Sequence, residues 1–560
     1  MDAYQRLTED LPARLPPGRS QRASEKATRE AVAGLPLANP AQALHEVEQI
    51  LDGMLATAWM GGERLVALPH LRGPVESLCR GIEHQLGADS HPLPAASAER
   101  AAAAQRLEWQ LACGYAIGLQ ELCAPAGKLP MFKGKLAAAA IVAGLVHASR
   151  VLTWAYRQYR TPPAGVWRLV HALYAFAGEL GLADQPVEDA FTEHGLLSAR
   201  SMYAQTLLLA ISNPYRFSAR ELKDACVVIR CVGGQCGLAR AGSTPGVSVD
   251  TDADAGPGYV AEEQIAAGAG VLVLDVQPVV RIFDERIALL PKGTEVLDLP
   301  RPGGGVATVQ VALLRRLQAS WVTAERGHAR LPASHALDLM VGMHALHYAL
   351  AGNLDFGTFI RQVQGEAITV GRHELASAWM ASSDTARPLM LRGEVLDQSE
   401  GGYRLRLQAS DGARLRIGEI IGLAPASDED DERDWMVGII RWLRMEDGRE
   451  LLGIELLHRT ARAAGVRPMT RSGEALVPQR AVELPGYAAE DGLALLVTNH
   501  FPGNAATAEV VLPALASDWH AGAAVGVWRC DGAEVIGNAC VRVNLVRDDL
   551  ARAAATEIAE

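Results

Sequence analysis

The chain has 560 residues, 49% hydrophobic and 21% charged, with 53 basic against 65 acidic side chains and a formal net charge of −12. That length exceeds what a single core supports, so two to four domains are expected, and the composition excludes collagen-like, coiled-coil and broadly disordered classes. The acidic balance disfavours generic binding to nucleic acid or membrane surfaces, which calls for broad positive patches, while leaving room for a local arginine site.

The first residues, Met-Asp-Ala-Tyr-Gln-Arg-Leu-Thr-Glu-Asp, contain no apolar core of a secretory signal. Eight cysteines occur, none in a Cys-x-x-Cys pair. A cytoplasmic protein with reduced thiols is therefore expected. Residues 1 to 225 read as helices. Leu107, Leu111, Gly114, Tyr115, Gly118, Leu119 and Leu122 fall on one helical stripe, and amphipathic runs span 136–156, 166–180 and 199–211. The most apolar stretch, 136–146, is too short to cross a bilayer, so no membrane insertion is expected. Asn213-Pro214 ends one run, and Ser218-Ala-Arg-Glu221 has the form of a capping box opening another helix. Helix starts recur about every thirty residues. The region is thus a helical bundle or a repeat-like array, of the kind that presents a surface to a protein partner.

Between 226 and 300 the pattern turns to a small β-rich segment, with strand candidates at 226–232, 270–276 and 279–290 around a Gly/Asp/Pro-rich loop, 243–258. Arg301-Pro-Gly-Gly-Gly305 reads as a turn, and 309–321 as a helix. Four runs that follow, 403–407, 415–423, 435–443 and 451–457, read as short antiparallel strands. A second β-rich unit, 470–550, has the spacing of a small barrel or sandwich. The fold class is α+β and multidomain.

Two short pieces, far apart, read together as one ligand site. The first is Arg326-Gly-His-Ala-Arg330; the second is Asp397-Gln-Ser399-Glu-Gly-Gly402, set between two strand-like runs. Each guanidinium can donate paired hydrogen bonds to a phosphate or to guanine O6/N7. An Asp accepts from guanine N–H groups, a Ser hydroxyl donates and accepts, and Gly402 permits an approach that a Cβ would block.

Arg-x-x-x-Arg followed by Asp-x-Ser-x-x-Gly resembles the PilZ domain, a family of receptors for the bacterial second messenger cyclic di-GMP. The resemblance runs from 318 to 466, and Val437-Gly-Ile-Ile-Arg-Trp442 and Leu452-Gly-Ile-Glu-Leu456 look like the closing strands of its barrel. It implies an antiparallel β-barrel against which Asp397, Ser399 and Gly402 hold a guanine, with Arg326 and Arg330 clamping phosphates and guanine edges. It also implies a signalling effector rather than an enzyme, acting on motility, pili, biofilm or secretion, with a protein partner on the helical region. The alternative is a degenerate barrel that serves as scaffold or adaptor without nucleotide. Two features depart from the family pattern. Arg330 and Asp397 are 67 residues apart, implying a helical insertion at about 343–390, with helices at 343–350 and 375–380. Glu325 precedes the first arginine; a carboxylate there repels phosphate and opposes a stacked dimer of the ligand.

Other candidates are weaker. Asp250-Thr-Asp252-Ala-Asp254-Ala-Gly256 begins like a calcium loop, but its glycine is one place late and position twelve is Ala261. Cys226, Cys231 and Cys236 would alternate faces in a strand and not converge on zinc, and His335, His344 and His347 lack a carboxylate at a familiar spacing, so no metal is expected. The acidic run 427–434 reads as a solvated hairpin loop. Nucleophile-elbow, P-loop and zinc-protease motifs do not occur.

Overall fold

The computed structural model describes residues 3–7, 24–86, 91–192, 195–240, 247–258, 270–322, 329–365, 387–408, 414–427, 433–472, 474–488, 492–498, 501–502, 505, 507–512, 525–536 and 540–547. The chain divides into one unit of residues 1–89 and 93–325 and a second of 90–92 and 326–560.

The first unit opens with helices α1 (Ala3–Arg6), α2 (Glu25–Ala33), α3 (Pro40–Ala56), α4 (Glu63–Ala67), α5 (Pro69–Leu86), α6 (Ala95–Cys123), α7 (Gly134–Arg157) and α8 (Val166–Glu179). A short ladder of β1 (Val187–Glu188) and β2 (Leu196–Leu197) precedes α9 (Ala199–Ile211) and α10 (Ala219–Val232). The long helices α6 and α7 form a hairpin at the centre, with the predicted stripe (Leu107, Leu111, Leu119, Leu122) fully or almost fully buried. Alone among the described helices, α7 is long and apolar enough to cross a membrane, and 78% of its most apolar window is buried inside the protein. Ser218 and Glu221 form the predicted capping box at the start of α10.

The small β-rich segment follows as β3 (Gly237–Arg240), β4 (Val247–Asp250), β5 (Val271–Asp275), α11 (Gln277–Ala288), the hairpin β6 (Val296–Pro300) and β7 (Val306–Gln310), and α12 (Val311–Trp321). Its Val247, Leu274, Phe283, Leu297 and Trp321 belong to the same core cluster as the helices. Three expectations are corrected here. Residues 226–232 complete α10, 279–288 lie in α11, and 247–250, taken as loop, form the strand β4. In the two helices, β-branched residues suggested strands, yet Leu222, Ala225, Val228, Ile229 and Val232 are buried at a spacing of three and four.

The second unit contains two barrels. Its strands are β8 (Leu331–Pro332), β9 (Ala336–Val341), β10 (Met390–Ser399), β11 (Gly402–Leu407), β12 (Ile420–Pro425), β13 (Met436–Glu446) and β14 (Arg449–His458). The order β11-β14-β13-β12-β9-β10 closes on itself through β10–β11, and β8 adds to the edge of β10. Leu339, Val395, Leu405, Leu423, Ile439 and Leu452 are fully buried in this barrel. The insertion between β9 and β10 begins with α13 (Met343–Leu350) and α14 (Phe356–Gly365); the helix expected at 375–380 lies outside the described residues. The second barrel closes in the order β15-β16-β17-β20-β19-β18, formed by β15 (Arg462–Met469), β16 (Gln479–Glu483), β17 (Gly492–Thr498), β18 (Thr507–Val511), β19 (Val525–Val535) and β20 (Cys540–Arg547). Its first strand takes in Val466, so the first barrel ends at His458 rather than at 466.

Candidate ligand-binding site

The Asp-x-Ser-x-x-Gly motif is the tight hairpin joining β10 to β11. Ser399 faces Gly402, Gln398 faces Tyr403 and Asp397 faces Arg404 across the ladder. The Ser399 hydroxyl donates to the Gly402 carbonyl at 3.5 Å, at the long end for such a bond. Gly402 adopts φ +154°, and a Cβ built on it would stand 2.0 Å from the carbonyl oxygen of Ile454 on β14. Only glycine fits there.

Asp397 reaches the surface through a bulge. Leu391, Gly393 and Val395 of β10 are buried, so a regular strand would turn Asp397 inward as well. The register shifts between Val395 and Asp397, which re-aims the carboxylate onto the outer face opposite Arg404. Arg330 directly precedes β8, whose Leu331 and Pro332 pair with Gln398 and Asp397. This pairing spans the 67-residue gap. The Arg330 guanidinium meets Asp397 Oδ1 at 2.8 Å and Arg404 Nε meets Oδ2 at 2.8 Å. Asp397 is 14% exposed, whereas Arg330 is 46% and Arg404 43% exposed. One carboxylate thus lies beneath two outward guanidinium groups, leaving a local excess of positive charge. Arg326 and Glu325 lie outside the described residues.

The row continues across the barrel. Arg404 faces Gly453, and Gly453 faces Trp442 after a second bulge between Ile440 and Trp442. A Cβ on Gly453 would stand 1.7 Å from Trp442 Nε1, so the half-buried indole lies flat over the glycine. Pro332, Asp397, Arg404, Gly453 and Trp442 therefore form one line on the outer face.

Sequence reasoning missed Arg404 and Trp442. The alternation Tyr403-Arg-Leu-Arg-Leu407 carried the signal for the first, since it turns Arg404 outward with Leu405 and Leu407 buried.

The helical region, and the β-rich segment together with the barrel that follows it, match two known families. Residues 26–241 match the family described as "Cyclic-di-GMP receptor FimW, N-terminal domain". Residues 247–390 and 373–463 match "Cyclic-di-GMP receptor FimW, middle PilZ domain". The chain carries a PilZ domain. The PilZ match starts at 247, upstream of the residue 318 at which the resemblance began in sequence, and takes in β4 to α12. A relative, "Cyclic-di-GMP receptor FimW" of Pseudomonas aeruginosa, is 24% identical over 521 residues, covering 84% of this chain and 83% of that protein.

The remaining candidates have other partners. Asp254 accepts from the backbone N–H of Gly165 at 2.6 Å and of Arg168 at 3.1 Å, capping α8, and Asp252 pairs with Arg6. The acidic 250–256 segment is thereby tied into the helical fold. Cys226 and Cys231 lie on α10, His335 is exposed on the arm before β9, and His347 donates from Nε2 to the Ala464 carbonyl at 3.1 Å. Among the described residues no group of three potential ligands converges on a metal position. Of the acidic run, 428–432 lie outside the described residues. Its first residue, Ser427, donates from its backbone N–H to the buried Asp338 at 3.2 Å, and Arg392 pairs with that carboxylate at 2.9 Å.

Proposed function

We propose that the protein is a cyclic di-GMP-binding regulatory effector, with no catalysis of its own. The observation that carries this reading is the outer row of the PilZ barrel, where the bulge at Asp397 sets one carboxylate between Arg330 and Arg404. The match to the FimW receptor domains supports it. In this reading Arg326 and Arg330 clamp phosphates and guanine edges, because a guanidinium fork matches both. Asp397 accepts from guanine N–H groups, Ser399 completes the edge, and Gly402 lets hairpin and β14 approach closely enough to hold that geometry. Arg404 adds a second fork, and the Trp442 indole offers a face on which a base stacks.

Arg330 already has a partner in Asp397, so the ligand must exchange that contact for better ones. A nucleotide switches the protein only if it favours one arrangement of the arm before β8 over another. We assign the output to a protein partner held by the helical region.

Calorimetric titration of the full chain with cyclic di-GMP tests the reading. Saturable heat, with an affinity that falls at least about tenfold in Arg330→Ala, is the expected result. A flat trace from folded protein would instead leave the barrel as a scaffold or adaptor without nucleotide.

A further inference from the structure

The chain uses lysine sparingly. Six of its 53 basic residues are lysines, and three of those six, Lys128, Lys133 and Lys135, stand in the single stretch Lys-Leu-Pro-Met-Phe-Lys-Gly-Lys joining α6 to α7. All three are exposed and have no ion-pair partner among the described residues. No acidic residue occurs in the sequence between Glu121 and Glu179. At the tip of this loop Met131 is 80% exposed and Phe132 96% exposed.

Phe132 also has a φ of +63°, in the left-handed region that an aromatic residue rarely enters. An apolar ring held in a disfavoured backbone conformation and given wholly to water needs a reason, and such outliers cluster at functional sites. A third exposed apolar side chain, Met60 at 76%, lies at the same end of the helices. A Cβ on Gly62, two residues on, would stand 2.9 Å from the Leu122 side chain and 3.7 Å from that of Leu136, at the two ends of the loop. The acidic group in that second loop is Glu63, at the start of α4.

We infer that the 128–135 loop is a membrane-contact element, with Met131 and Phe132 entering the acyl boundary and the three lysines meeting anionic lipid headgroups. Apolar tips ringed by basic residues bind that way, through buried apolar area plus attraction to anionic lipid. The lysines favour lipid over a protein surface. Elsewhere in this chain carboxylates are matched by arginine forks, and Lys26–Glu30 is the one lysine pair among the described residues. Lysine is a flexible point charge, suited to mobile phosphates that offer no fixed fork. One loop gives reversible association rather than anchoring. This inference stands apart from the nucleotide reading.

Flotation of the full-length protein with vesicles decides it. The protein should float with phosphatidylethanolamine–phosphatidylglycerol vesicles, not with phosphatidylcholine alone, and less as salt rises. The triple variant Lys128→Gln, Lys133→Gln, Lys135→Gln should lose about a hundredfold in partitioning. Met131→Ser with Phe132→Ser should lose about tenfold or more. Both variants should unfold at the wild-type temperature, because the replaced side chains are exposed. Wild-type protein that ignores anionic vesicles, variants that float equally well, or equal binding to phosphatidylcholine would each overturn the inference. The first of these would turn the same tip into a contact for an acidic protein surface.

Discussion

Gly402 and Ile454 face each other so closely across β11 and β14 that a Cβ on the glycine would stand 2.0 Å from the isoleucine carbonyl oxygen. Backbone, not a flexible side chain, blocks the space. Gly402→Ala must therefore push the strands apart, at a cost on the order of 1–3 kcal/mol, read as a lower urea midpoint. The same shift disturbs the alignment of Asp397 with Arg404, so cyclic di-GMP affinity should fall with it. An unchanged midpoint would mean that the hairpin yields freely.

Arg330→Ala and Arg404→Ala should each weaken cyclic di-GMP binding by about 10- to 100-fold, the range expected for losing a charge-assisted hydrogen bond. Lysine at either position should recover little, because it lacks the planar fork. Titration calorimetry on the four single variants checks this. Full affinity in Arg404→Ala would remove that residue from the proposed site while leaving the predicted motif intact.

The indole of Trp442 lies over Gly453, in line with Arg404. Trp442→Ala should lose about tenfold in nucleotide affinity if a base stacks there. Gly453→Val keeps the indole but displaces it, since the new side chain claims the space of the ring, and should give a similar loss. The chain has ten tryptophans, so ligand-induced quenching is compared between wild type and Trp442→Phe. Equal quenching in both would place the ligand elsewhere.

Acid should weaken the fold well before Glu108 and Asp189 titrate. Burial, with Arg480 nearby, pushes His347 down to about 3, and burial pushes His91 down to about 4. Burial also lowers His147, whose Nε2 accepts from Arg72 at 3.0 Å while its Nδ1 faces Glu108 at 2.6 Å. A histidine depressed on folding takes its proton only in the unfolded chain below about pH 6.5. Stability is then complete above that pH and falls below it, by about 1.4 kcal/mol per pH unit for each such group. Glu108 and Asp189 also sit below their ordinary values despite burial, held by Arg150 and Arg72, and act in a lower window, under about pH 4. Urea midpoints between about pH 7.5 and pH 5 should drop, and His347→Gln should flatten the slope. Midpoints that rise on acidification would refute this.

Much of this architecture is legible locally. The Ser218–Glu221 capping box, the α6 stripe and most strands of both barrels are written in neighbouring residues, whose periodicity and punctuation report secondary structure directly. The strands misplaced at 226–232 and 279–290 show where propensity misleads. Val and Ile favour strands by stiffness of the side chain, but the spacing of the buried positions decides. The candidate site is legible only in part. Asp397 and Arg330 can be named from a motif, yet Arg404 faces Asp397 only because one extra residue, Leu396, bulges out of the ladder. Such a register shift leaves no periodic trace.

The insertion that separates β9 from β10 has a consequence for the whole C-terminal half. Met343 and Leu346 of α13 share a core cluster with Ile420 and Val437 of the first barrel and with Val482, Leu484 and Leu496 of the second. Neither barrel can shed its surface on that helix without exposing the other's. Cooperativity follows contiguous apolar burial rather than strand topology. The two closed sheets should accordingly melt in a single transition, as one folding unit assembled from two.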